Sequence, residues 1–122
     1  MIKVLIADDH AIVRAGLRAL INSESVLGLV GEASGGYETL DLVEKLRPDV
    51  LVLDLSMPDL DGIAVIQEIR PKFRDVRILI LTIHEDEALL RAALKAGAGG
   101  YILKHAAEAD LISAIHAILR GE

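Results

Sequence analysis

The sequence predicts an α/β domain: a parallel sheet of five strands with five helices packed over its two faces. Apolar runs alternate with amphipathic ones from end to end. Two of the runs, "VLVLD" and "RILIL", are almost wholly apolar and rich in branched residues. That suits strands buried on both faces, not an antiparallel sheet with one wet face. No repeat, low-complexity tract or Pro/Gly/Ser linker interrupts the pattern, and 122 residues at 52% hydrophobic can build one domain with a sizeable core.

The first strand runs from Ile2 to Ala7, and the first helix from Ala11 to Asn22. A second strand follows at Val26 to Ala33, then a helix from Tyr37 to Leu46 that Pro48 stops. The third strand, Val50 to Asp54, leads through "LSMPDLDG" into a helix from Ile63 to Lys72. The fourth strand, Val76 to Thr82, precedes a helix from Glu87 to Ala96, with Gly97 as its stop signal. A short strand, Tyr101 to Leu103, and a helix from Ala107 to Arg120 complete the chain. In that last helix Leu111, Ile112, Ile115, Ile118 and Leu119 fall at helical spacing.

Composition excludes several classes of function. With no cysteine there is no disulfide framework, thiolate metal site or thiol nucleophile. A metal would be held by oxygen or by one of the four histidines, and His10, His105 and His116 lack ligand spacing with each other. A net charge of −6 argues against this stretch gripping a phosphate backbone by itself. Any DNA contact is therefore expected through a separate domain. Apolar runs are only a few residues long and Met1-Ile2-Lys3 leads directly into a strand, so a cytoplasmic protein with no membrane contact is expected.

In an open parallel sheet, ligands bind beyond the carboxyl ends of the strands, where the winding direction reverses. Here those ends carry Asp8 and Asp9 after the first strand, Asp54 at the third, Thr82 at the fourth and Lys104 after the fifth. The second ends blandly in Ala33-Ser34-Gly35. If it is an edge strand, with the first between it and the third, the other four ends meet in one crevice. Three carboxylates beside one lysine leave about two negative charges unbalanced, and a divalent cation would balance them. Hard oxygen donors favour Mg²⁺. Such an ion beside Asp54 would let that carboxylate attack a phosphoryl group while Lys104 pairs with another phosphoryl oxygen.

These residues resemble the receiver domains of two-component response regulators over the whole chain. "ADDH" is similar to the family's acidic pair, and "LVLDLSMPDLDG" to its phosphoacceptor strand and following loop. "ILILT" resembles the strand that ends in its switch threonine, and "GAGGYILK" its aromatic switch position and lysine. The stretches "DDHAIVRAGL" and "GEASGG" look most like the NarL/LuxR-type subfamily. The resemblance implies a flavodoxin-like (CheY-like) three-layer sandwich with strand order 2-1-3-4-5. It implies that Asp54 takes phosphate from a sensor histidine kinase. Asp9 would ligate Mg²⁺ directly, Asp8 through water, and Asp54 and the Ser56 carbonyl would complete the metal site. Thr82 and Tyr101 would be the switch, and Ser56 and His84 would stand at positions that modulate phosphate lifetime. Residues 1–122 are then one receiver, with a helix-turn-helix output domain expected beyond 122 and a phosphorylation-linked homodimer allowed. Such a protein catalyses only its own phosphorylation and dephosphorylation. One departure from the pattern is His105, which stands after Lys104 where many receivers have proline. The cis peptide common at that bond is then costly, by about 2.5–4 kcal/mol.

Other readings compete. Asp8 and Asp9 are suited to capping the first helix, and Asp59, Asp61 and Gly62 read as loop chemistry. Thr82 is also an ordinary strand residue, Tyr101 a half-buried edge tyrosine, and Gly97 to Gly100 a helix stop and turn. A Mg²⁺-dependent phosphatase with an aspartyl nucleophile, of the type resembling haloacid dehalogenases, would want a second acid two residues after Asp54, where Ser56 stands. A flavodoxin-like cofactor module would want a hydroxyl- and glycine-rich loop where the two acids are.

Overall fold

The computed structural model describes residues 1–83 and 86–121. Among these, five strands alternate with five helices: β1 (Ile2–Ala7), α1 (Ala11–Asn22), β2 (Leu27–Ala33), α2 (Gly36–Leu46), β3 (Val50–Asp54), α3 (Gly62–Ile69), β4 (Arg77–Thr82), α4 (Glu87–Ala96), β5 (Gly100–Leu103) and α5 (Ala107–Leu119). One 3-10 turn, Lys104–Ala106, joins β5 to α5. Every strand pair is parallel and the order is β2-β1-β3-β4-β5. This is the sandwich the sequence predicts, with β2 at an edge.

Strand pleating divides the apolar residues between two cores, because successive side chains point to opposite faces. Leu5, Leu51, Leu53, Ile78 and Ile80 pack on one face with Val43 of α2, Val65, Ile66 and Ile69 of α3 and Leu90 of α4. Val4, Ile6, Val50, Val52, Leu79 and Leu81 pack on the other with Leu17 and Ile21 of α1 and Leu111, Ile115 and Ile118 of α5. Both faces being covered, β3 is buried along its whole length, which is why its sequence reads as a continuous apolar run. Burying each of these Leu or Ile side chains contributes about 1.5–3 kcal/mol.

Most element bounds fall within one residue of the sequence expectation, but α3 ends at Ile69 instead of Lys72. Pro71 explains the difference, since it has no N–H to donate to Gln67 and its ring crowds that turn. The last helical bond is Arg70 N–H to Ile66 O at 2.9 Å, after which Lys72 and Phe73 both donate to Ile69 O. α2 ends at Leu46 and is capped by Arg47, whose φ of 47° is the left-handed conformation. Pro48 disfavours a right-handed helical residue just before it.

Arg70 ties three segments together at the end of the sheet where the strands begin. It donates to Arg74 O at 3.0 Å, Val76 O at 2.9 Å and Gly97 O at 3.1 Å. Gly97 has φ +128°, and a Cβ there would come 2.8 Å from Arg70 Nε, so the stop of α4 requires glycine for conformation and for room. At the opposite end, Gly62 lies over the end of β3, where a Cβ would fall 2.7 Å from Leu55 Cα.

Candidate functional site at the carboxyl ends of the strands

Strand register brings the charged residues together. Ala7 pairs with Leu53, so Asp8 and Asp54 follow side by side. Asp54 pairs with Leu81 and Thr82 with Leu103, which places Thr82 and then Lys104 along the same edge of the sheet. Asp8, Asp54 and Thr82 are all buried.

Lys104 Nζ lies 3.0 Å from Asp8 Oδ2 and 3.2 Å from Asp54 Oδ2. The Ser56 N–H donates to Asp54 Oδ1 at 3.1 Å, while the Ser56 side chain is exposed. Asp8 Oδ1 accepts the His10 N–H at 2.8 Å, and the Asp8 carbonyl accepts from Arg14 Nη1 at 2.7 Å. These contacts aim the carboxylates inward. They do not cap α1: its N-cap is His10, which makes no side-chain cap bond, and the first turn holds no acid.

Burial pushes the Asp54 carboxyl above the ordinary carboxylate range; the Asp8 charge adds to this, and the Ser56 N–H and Lys104 oppose it. Burial pulls Lys104 down, but its close approach to Asp8 and the charges of Asp54 and Asp8 outweigh that and hold it above the usual lysine range.

The cluster is short of positive charge. Three carboxylates, Asp8, Asp9 and Asp54, face one ammonium. Asp8 Oδ2 and Asp9 Oδ1 are buried oxygens with no hydrogen-bond partner among the described residues; the Lys104 ammonium is at ion-pair distance from the former without making a hydrogen bond to it. Leaving a buried charged acceptor unsatisfied costs upwards of about 1–3 kcal/mol. One donor atom each from Asp8, Asp9, His10 and Asp54 lies within 4.8 Å of the others. Orphaned oxygens, a net negative charge and hard donors together fit a divalent cation such as Mg²⁺.

The remaining sequence-predicted residues are dispersed. Tyr101 on β5 is 47% exposed and stands apart from the acids. His105 is on the exposed surface of the 3-10 turn, and there is no cis peptide among the described residues, so Lys104–His105 is trans. His84 lies outside the described residues. Asp61 caps α3 by accepting from Ala64 N–H at 2.9 Å. Asp59 accepts from Gly36 N–H at 2.8 Å and Tyr37 N–H at 3.2 Å. These bonds hold its carboxyl below the usual range. Both aspartates are loop chemistry, as expected.

His10 is the residue that sequence reasoning missed. Comparing histidines only with each other gave no ligand spacing, whereas the informative spacing was to the acids beside it. Its Nδ1 lies 2.9 Å from Asp8 Oδ1 and 3.2 Å from Asp9 Oδ1.

Comparison with known proteins gives the family and the fold. The sequence matches the profile of the response regulator receiver domain over residues 4–116. Oxygen regulatory protein NreC of Staphylococcus epidermidis is 44% identical over 121 residues, which are 98% of this chain and 56% of that protein. The chain thus spans about half the length of the curated relatives it matches. Among solved structures, the signal receiver domain of NarL from Mycobacterium tuberculosis superposes with a TM-score of 0.94 at 30% identity, covering 99% of this chain and 98% of that one. RcsB from Salmonella enterica serovar Typhimurium, bound to promoter rprA in the presence of the phosphomimetic BeF3⁻, superposes with a TM-score of 0.87 at 37% identity, covering 95% of this chain and 67% of that one.

Proposed function

Because the chain belongs to the response regulator receiver domain family, we propose that it is a phosphorylation-controlled signalling receiver that takes a phosphoryl group onto Asp54 from a sensor histidine kinase. The observation that carries this reading is the buried Asp54 carboxylate set between Lys104 and two orphaned acid oxygens.

In the transfer, an Asp54 oxygen attacks phosphorus as the P–N bond to the kinase imidazole breaks, leaving an acyl phosphate on Asp54 and a neutral histidine on the kinase once that ring takes a proton. Ser56 N–H fixes the rotation of the Asp54 carboxylate. Lys104 moves its ion pair from Asp54 to a phosphoryl oxygen, so the ammonium that holds the resting site also reads the modified one. Asp9, Asp8, Asp54 and the Ser56 carbonyl would hold Mg²⁺, which offsets the phosphoryl charge in transfer. Thr82, buried at the end of β4, then brings its hydroxyl to the phosphoryl group. Tyr101 turns inward beside it, and the surface of α4 changes. The chain transforms no metabolite; it catalyses its own phosphorylation and dephosphorylation.

The length of the relatives and the promoter complex of RcsB support an output domain beyond residue 122 through which DNA is contacted. By the family resemblance that domain is a helix-turn-helix, and a phosphorylation-linked homodimer is one output. Among the described residues no helix is long and apolar enough to cross a membrane.

Incubation with a small acyl-phosphate donor and Mg²⁺ tests the reading. One phosphoryl group should be gained, removed by hydroxylamine, and absent in Asp54→Asn. Rapid multiple turnover of phosphate monoesters would favour the aspartyl phosphatase and overturn the receiver assignment.

A further inference from the structure

His10 contributes nothing to the phosphotransfer chemistry above, yet its ring nitrogen stands among the metal-binding oxygens. Its backbone N–H is pinned to Asp8 Oδ1 at 2.8 Å at the N-cap of α1, with φ −96° and ψ 111°. Although the side chain is 59% exposed, Nδ1 faces the cluster: 2.9 Å from Asp8 Oδ1, 3.2 Å from Asp9 Oδ1 and 3.4 Å from Lys104 Nζ. We infer that His10 Nδ1 is a nitrogen ligand that makes this receiver's cation site selective for borderline transition metals such as Co²⁺ over Mg²⁺. The inference rests on the reading that Asp8, Asp9 and Asp54 hold a cation.

Three observations carry it. First, neighbouring ligands on an octahedral ion with bonds of about 2.1 Å lie about 3 Å apart, and Nδ1 stands at that separation from one oxygen of each acid. Second, Asp9 Oδ1, a buried oxygen with no hydrogen-bond partner among the described residues, is the oxygen of Asp9 that Nδ1 approaches at 3.2 Å, so an acceptor is left unfilled on the side where the imidazole stands. Third, imidazole discriminates by chemistry. An all-oxygen site recognises Mg²⁺ by charge and size, and adding a nitrogen donor gains little for Mg²⁺, whereas Co²⁺, Ni²⁺ and Zn²⁺ bind imidazole well. A transition metal seated with His10 would occupy the carboxylates that Mg²⁺ needs, making phosphorylation sensitive to which ion is present.

Calorimetric titration of the unphosphorylated protein with MgCl₂ and with CoCl₂, with Mg²⁺ competing for the Co²⁺ site, tests this. His10→Ala removes the nitrogen; His10→Asn keeps a short polar side chain able to bond Asp8 but is a poor ligand. The ratio of Mg²⁺ to Co²⁺ dissociation constants should fall at least about tenfold in both variants, the loss typical of a disturbed metal ligand environment. Mg²⁺ affinity itself should change less than about threefold. An unchanged ratio in His10→Ala overturns the proposal. So does full rescue by His10→Asn, which would mean that His10 only positions Asp8. If the unaltered protein binds neither ion, the cation reading of the acids fails, and this inference falls with it.

Discussion

Lys104, the first residue past β5, reaches Asp54 at the end of β3 at 3.2 Å although the two strands are not neighbours; β4 lies between them. The lysine therefore crosses the end of β4, close to Thr82, to compensate two buried acids. Removing one partner of a buried pair is typically more damaging than removing both. Lys104→Met should lower stability by about 2–4 kcal/mol in urea unfolding without metal. The double variant with Asp54→Asn should lose less than Lys104→Met alone, because the buried charge left unpaired is then removed.

Asp54 predicts a pH dependence. Its folded pKa is raised, so ionising it costs the folded state: its contribution is fully present below the unfolded carboxylate pKa and is lost as pH rises through the folded value. In metal-free buffer Asp54→Asn should therefore melt higher than the unaltered protein at neutral pH. The gain should be about 3–6 °C, the response of a domain this size to about 1 kcal/mol. It should shrink as the pH is lowered into the carboxylate range. An equal gain at pH 4 and pH 7, in scanning calorimetry at ~1 pH intervals, would contradict the burial assignment.

Mg²⁺ should stabilise the fold by mass action, by about 2.7 kcal/mol once the free ion reaches 100 times its dissociation constant. Asp9→Ala should lose most of that gain while keeping its metal-free melting temperature within a few degrees, since the Asp9 side chain is partly exposed. Thermal unfolding across a magnesium series measures both.

The switch assignment makes a separate prediction. Thr82→Ala should still accept phosphate at Asp54, but phosphate-dependent NMR shifts around Tyr101 and along α4 should fall by more than half. A full pattern of shifts at equal phosphorylation would remove Thr82 from the mechanism.

Much of this was legible before any coordinates. β3 and β4 announce themselves because both their faces are buried, leaving no polar alternation to confuse with a surface strand. Asp8, Asp54 and Lys104 were legible because a charge ending an apolar run has to find a partner. The end of α3 was missed because apolar spacing continues through Phe73, which does pack on the core, but from the turn beyond Pro71. Asp59 could be read as a loop residue, yet not as the acceptor for the start of α2, since that bond spans 23 residues. His10 escaped because its spacing was compared with the other histidines only, whereas its place just after Asp8 and Asp9, at the start of α1, is what sets the ring beside the acids.

The Arg70 bonds have a mechanical consequence. By gathering the carbonyls of Arg74, Val76 and Gly97, one guanidinium rivets the exit of α3, the approach to β4 and the exit of α4 at the foot of the sheet. The head of β4 carries Thr82 and the head of β3 carries Asp54. A disturbance applied at the head then meets a fixed pivot at the foot, and α4 can respond by swinging about its Gly97 end while its Glu87 end travels farthest. Amide hydrogen exchange should register this as a gradient along α4, slowest near Ala96 and fastest near Glu87. Arg70→Met should flatten that gradient by loosening the pivot, leaving Asp54 and its neighbours in place.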